Sequence, residues 1–117
     1  MYEQLLMHLI GDYWLQNDWM ALNKKKKFWI ALVHGAIYTL PFMLLTQSKE
    51  ALVTIWLTHA LIDGTNWVFY LNRIKNWNFS SIHGYRLDRP EFIWVWLIII
   101  QDNILHLVIN YCALRWL

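Results

Sequence analysis

Three apolar stretches of this chain each carry a histidine and an aspartate four residues apart: His8 and Asp12 in HLIGD, His59 and Asp63 in HALID, Asp102 and His106 in DNILH. A further histidine, His34, stands in the apolar run VHGAIY. Four-residue spacing puts both members of a pair on one helix face. Neutral imidazoles and carboxylates suit zinc, manganese or iron, and the lack of thiolates among them argues against copper(I) or an iron–sulfur cluster. The one cysteine, Cys112, lies in an apolar run near the C-terminus and reads as packing; a lone cysteine makes no internal disulfide. A divalent metal held by such groups activates water and polarises a phosphoryl group. An aspartate not fully engaged can serve as general base, so Asp12, Asp63 and Asp102 are the candidate catalytic carboxylates.

The elements that must position these residues are apolar. Hydrophobic residues make up 58% of the 117-residue chain and charged residues 15%, against roughly a quarter charged in ordinary soluble proteins. The formal charge of +2 is too small to argue for nucleic acid. The length suits a single domain over residues 1–117. A spanning helix needs about 20 mainly apolar residues. Tyr2–Leu22, Phe28–Thr46, Ala51–Leu71 and Glu91–Leu117 are the four candidates, the first the most polar, and Pro41 is expected to kink the second. The fold expected is an all-α four-helix transmembrane bundle.

The basic residues set an orientation. Lys24, Lys25, Lys26 and Lys27 fall between the first two segments; Arg73, Lys75, Arg86 and Arg89 fall between the last two; only Lys49 and Arg115 lie opposite. By the positive-inside rule both basic loops are cytoplasmic, and both termini are on the outer side of an inner membrane. Residues 72–90 read as an interfacial segment on anionic head groups, or as a lid over a buried site, with Arg73, Lys75, Arg86 and Arg89 as head-group ligands. His83 in that segment reads as a surface histidine.

In an up-and-down bundle the pairs stack. The first and third segments read His then Asp, and the oppositely directed fourth reads Asp then His, giving a histidine layer about 6 Å above an aspartate layer at the helical rise. His34 falls near the aspartates. Gly11, Gly35 and Gly64 would let the helices approach closely. Gln4, Gln16, Asn66 and Asn110 extend the polar stripes and are candidate hydrogen-bond partners that fix ring tautomers and carboxylate orientation.

An aspartate at the centre of a membrane helix costs roughly 3 kcal/mol on insertion scales. Three would cost on the order of 10 kcal/mol, while an interhelical hydrogen bond in a membrane returns about 0.6 kcal/mol. A divalent cation offsets burial far better. Seven ligands (His8, Asp12, His34, His59, Asp63, Asp102 and His106) exceed one tetrahedral zinc, so one or two ions are expected, with two preferred. Structural His–Asp pairing and a proton or ion path are the alternatives.

HLIGDYWLQ, the histidine of the second segment, HALID and DNILH together resemble a family of small bacterial and phage inner-membrane proteins of unknown function. The pattern shared is an H-x-x-x-D-aromatic-x-L-Q opening and a late D-Q-x-x-H, matched at His8, Asp12, Gln16, His59, Asp63, Asp102 and His106; Asn103 stands where glutamine is expected. More distantly the pattern is similar to integral-membrane metal-dependent hydrolases. The resemblance implies a metal-dependent hydrolase, and burial points to a lipid-like phosphate ester or pyrophosphate. The alternative is a non-enzymatic membrane protein: an ion path, which a chain this short would form only as a homo-oligomer, or a metal-stapled binding module, phage-encoded and acting on a host membrane component.

Overall fold

The computed structural model of the protein describes residues 2–86, 88 and 90–117. Among these it is all-α, with α1 at Tyr2–Leu9, α2 at Asp18–Asn23, α3 at Phe28–Thr39, α4 at Lys49–Gly64, α5 at Trp67–Lys75 and α6 at Glu91–Trp116. A π-helical turn, Ile10–Trp14, follows α1, and a 3-10 turn, Leu40–Leu44, follows α3.

This architecture corrects the four-helix transmembrane bundle with both termini outside. Among the described residues one helix, α6, is long and apolar enough to cross a membrane. The other expected spans are broken, each by a local cause. In the first, the π turn and an extended Asn17 interrupt the helix; the Asn17 side chain accepts from the Met20 amide at 2.9 Å and caps a new helix. In the second, α3 tightens into the 3-10 turn at Pro41, whose ring cannot continue a regular helix interior. In the third, α4 stops at Gly64, Thr65 is extended (φ −130°, ψ 176°), and α5 starts afresh at Trp67. A window of hydropathy averages over such polar interruptions; backbone capping does not.

The chain forms two compact units, residues 1–65 with 106–117, and residues 66–105. In the first, Tyr38, Phe42, Ile55, Met7 and Ala113 form the apolar core, and α3 packs along α4. That packing depends on small residues. A Cβ on Gly35 would lie 3.0 Å from Trp56 and 3.3 Å from Ala60; one on Gly11 would lie 2.9 Å from the Tyr38 carbonyl oxygen. Ser48 caps α4 by accepting from the Ala51 amide at 3.2 Å, and its hydroxyl donates to the Leu117 carbonyl at 2.8 Å.

The second unit joins α5, the following segment and the first part of α6. Gln101 Nε2 donates to the Tyr85 hydroxyl at 2.6 Å, Ser81 Oγ donates to the Tyr85 carbonyl at 2.7 Å, and Asn76 Nδ2 donates to the Gly84 carbonyl at 3.1 Å. His83, read as a surface residue, is half-buried and stacks on Trp94 with ring centroids 4.1 Å apart. Trp77 adopts a left-handed backbone (φ 51°) and is 85% exposed, and Ile82 is 74% exposed.

Candidate metal centre

The first unit gathers five buried polar side chains at one place. Asp12 comes from the π turn, His34 from α3, His59 and Asp63 from successive turns of α4, and His106 from α6; all are buried. The π turn bonds the Leu15 amide to the Ile10 carbonyl at 2.9 Å, adding a residue to the helical turn that carries Asp12. Such single-turn insertions occur often at functional sites.

Four donor atoms converge. His34 Nε2 lies 3.2 Å from Asp12 Oδ1 and 3.2 Å from Asp63 Oδ2. His59 Nε2 lies 3.6 Å from Asp12 Oδ1, 3.3 Å from Asp63 Oδ2 and 3.1 Å from His34 Nε2. All four lie within 4.8 Å of one another. A tetrahedral ion with bonds of about 2.0–2.1 Å needs ligand atoms about 3.3–3.4 Å apart. Donor type and these five distances fit, so this buried His/Asp group could bind a metal ion.

The surrounding bonds orient these groups. His106 Nε2 lies 3.0 Å from Asp63 Oδ1, the oxygen outside the four-atom set. The Tyr38 ring stacks on His59 at 3.6 Å, and its hydroxyl accepts from Asn110 Nδ2 at 2.6 Å and shares a 2.6 Å bond with His8 Nδ1. His34 Nδ1 and His59 Nδ1 are buried with no hydrogen-bond partner among the described residues. The Nε2 edges therefore carry all the polar contacts of these two rings. Burial works against ionising Asp63, but hydrogen bonds from His106, His34 and His59 hold its carboxyl well below the ordinary value. Burial pushes His59 down, which favours the neutral ring that a metal requires.

The other expected ligands and partners lie outside the four-atom set. His8 Nε2 is 4.0 Å from Asp12 Oδ2, outside the four-atom set. Asp102 lies one turn before His106 on α6, in the stretch belonging to the second unit. Gln16 Nε2 donates to the Asp12 carbonyl, not its carboxylate, at 3.3 Å. Asn103 Nδ2 donates to the Ile99 carbonyl at 2.7 Å, and Asn66 is exposed at the start of α5. Arg73, Lys75 and Arg86 belong to the second unit: Arg73 lies over the Phe79 ring at 5.7 Å, Lys75 lies over the Tyr85 ring at 5.6 Å, and Arg86 pairs with Asp88 at 2.8 Å. Arg89 lies outside the described residues.

Tyr38 and Lys24 belong to the site but are not visible in the sequence pattern. Lys24 Nζ lies 2.6 Å from Asp63 Oδ2, while Lys25 Nζ donates to the carbonyls of Asp63 at 3.1 Å and Thr65 at 2.9 Å. Half of the lysine run therefore docks on the C-terminal end of α4, where cations meet the negative end of the helix dipole. Nothing in periodicity separates Lys24 from its three neighbours.

Fold and site together define an all-α protein with a buried His/Asp group able to hold a metal. The family described as a protein of unknown function (DUF3307) matches residues 1–114, and the chain belongs to it. No curated protein and no solved structure matches the chain. The family found agrees with the resemblance to proteins of unknown function and adds neither a membrane nor a hydrolase assignment.

Proposed function

We propose that the protein is a metal-dependent hydrolase acting on a lipid phosphate ester or pyrophosphate. The observation that supports it is the convergence of Asp12 Oδ1, His34 Nε2, His59 Nε2 and Asp63 Oδ2 within 4.8 Å of one another. These four residues would hold one divalent ion, with zinc the best match to the donor set and manganese or iron as alternatives. His106, His8 and Asp102 are the residues for further coordination or a second ion. Such an ion supplies Lewis-acid activation of water and of a phosphoryl oxygen. Asp63 would hold the ion through Oδ2, with Oδ1 held by His106 at 3.0 Å. Asp12 presents Oδ2 for proton transfer, with His8 Nε2 at 4.0 Å to receive or steady the charge. Asp102 is the remaining candidate base.

The membrane setting belongs to the same proposal. Helix α6 anchors the chain in the inner membrane, and the basic segments face the cytoplasm. The substrate is then presented by the bilayer, with Arg73, Lys75, Arg86 and Arg89 as head-group ligands.

Metal analysis of purified protein comes first, followed by hydrolysis of a panel of phospholipid and polyprenyl phosphates before and after chelation. Stoichiometric metal and chelator-sensitive turnover are expected; a protein without metal ends the reading. One observation favours a second reading, a metal staple in a binding module: His34, His59 and Asp63 are almost wholly buried, as structural sites are. Under it, chelation lowers the melting temperature and no substrate turns over.

A further inference from the structure

We propose that the ammonium group of Lys24 competes with the metal for Asp63 and so sets how tightly the centre holds its ion. This rests on the metal reading above.

Lys24 Nζ does not contact the free oxygen of Asp63. It lies 2.6 Å from Oδ2, the oxygen that belongs to the four-atom set, whereas Oδ1 is taken by His106 at 3.0 Å. Groups that support a metal ligand normally orient it through an atom the metal does not use. Lys24 contacts an atom the metal would use. Oδ2 also faces His34 Nε2 at 3.2 Å and His59 Nε2 at 3.3 Å, so it is already crowded by three nitrogens. The Lys24 side chain is 16% exposed and that of Asp63 3%, so water screens the pair poorly. A divalent ion drawn to the same oxygen would repel the ammonium strongly in such surroundings.

The position of Lys24 makes it a durable competitor. It caps the C-terminus of α2, its amide bonding to the Met20 carbonyl at 3.0 Å. The next residue, Lys25, is tied to the end of α4 by the carbonyls of Asp63 and Thr65. Backbone and neighbour together keep the ammonium beside Asp63. In the metal-free chain it places a positive charge 2.6 Å from Asp63 Oδ2, beside the hydrogen bonds from His106, His34 and His59. On loading, it is displaced toward the surface, and metal affinity is what remains after that exchange.

The test is the sign of a change in zinc affinity, measured on the purified full chain by competition with a chromophoric chelator. Close charge pairs couple by about tenfold or more. Lys24→Met is therefore expected to bind zinc about tenfold more tightly, and Lys24→Arg, which keeps the charge, to stay close to wild type. Were Lys24 merely orienting Asp63, Lys24→Met would bind about 10–100-fold more weakly, which overturns the competition. A second measurement needs no variant. Amine acylation read by peptide mass spectrometry is expected to modify Lys24 faster in zinc-loaded than in metal-free wild-type protein; equal rates overturn the proposal. Wild-type protein that takes up no metal overturns both readings, whereas zinc binding weakened by Lys24→Met overturns this one alone.

Discussion

The two units both bury polar groups, but they satisfy them differently. In residues 66–105 the partners are neutral and complementary: an amide donates to the Tyr85 hydroxyl, a serine hydroxyl to a carbonyl, and an asparagine amide to a carbonyl. Among the described residues two donors are left over there, Asn72 Nδ2 and Arg73 Nε. In the first unit like atoms face each other. Two imidazole Nε2 atoms stand 3.1 Å apart between two carboxylate oxygens. A hydrogen-bond network of the first kind holds itself together. A cluster of the second kind is stable only with a positive charge at its centre or edge, because each ring carries at most one proton on that nitrogen. The comparison teaches that burial of polar side chains does not by itself mark a site; convergence of lone pairs does.

The contrast can be broken most forcefully at Asp63. Asp63→Ala removes a metal donor and takes a hydrogen-bond partner from buried His34 and His106, a type of change that costs about 1–3 kcal/mol. Chemical denaturation is expected to show a loss of that size, and metal analysis a loss of stoichiometric zinc. Chelation of wild-type protein comes next. A ligand at a hundred times its Kd stabilises by about 2.7 kcal/mol, so removing it is expected to lower the melting temperature in a way that added zinc restores. A chelator without effect would make the first unit's cluster equivalent to the second unit's network.

Smaller effects sharpen the comparison. Tyr38→Phe removes the hydroxyl that links His8 to Asn110 but keeps the ring stacked on His59. Because His8 and Asn110 lie outside the four-atom set, zinc titration is expected to show a loss smaller than the roughly tenfold or more of a group bonded directly to a ligand. Tyr85→Phe is the counterpart in the second unit. It removes an ordinary hydrogen bond from Gln101, worth about 1 kcal/mol, and zinc affinity is expected to stay unchanged. A change in zinc affinity with Tyr85→Phe would contradict the division drawn here.

Much of the cluster was legible because helical periodicity is local. His59 and Asp63, four apart on one helix, share a face through spacing alone, and counting ionisable residues in apolar runs picked out Asp12 and His34 as candidates; their convergence was expected from a four-helix bundle that the structure does not form. The same counting concealed the helix breaks. Asn17, Pro41 and the Gly64-Thr65-Asn66 stretch carry breaking signals, but each lies in or beside a run apolar enough to read as continuous. Capping and ring geometry act on single residues, and an average dilutes them. Gln16 illustrates a different limit: a polar residue one turn beyond Asp12 met that residue's backbone instead of its carboxylate.

The sequence by itself determined the helical class and the imidazole–carboxylate chemistry. Both depend on residue type and on contacts within about one turn of helix. Only the tertiary structure decided which four atoms converge, that among the described residues α6 alone keeps a membrane-spanning length, and that Lys24 lies on Asp63 across 39 positions of chain. These outcomes depend on how separate helices pack. Packing distances of a few tenths of an ångström separate a metal donor from a neighbour, and no spacing in one chain direction encodes them.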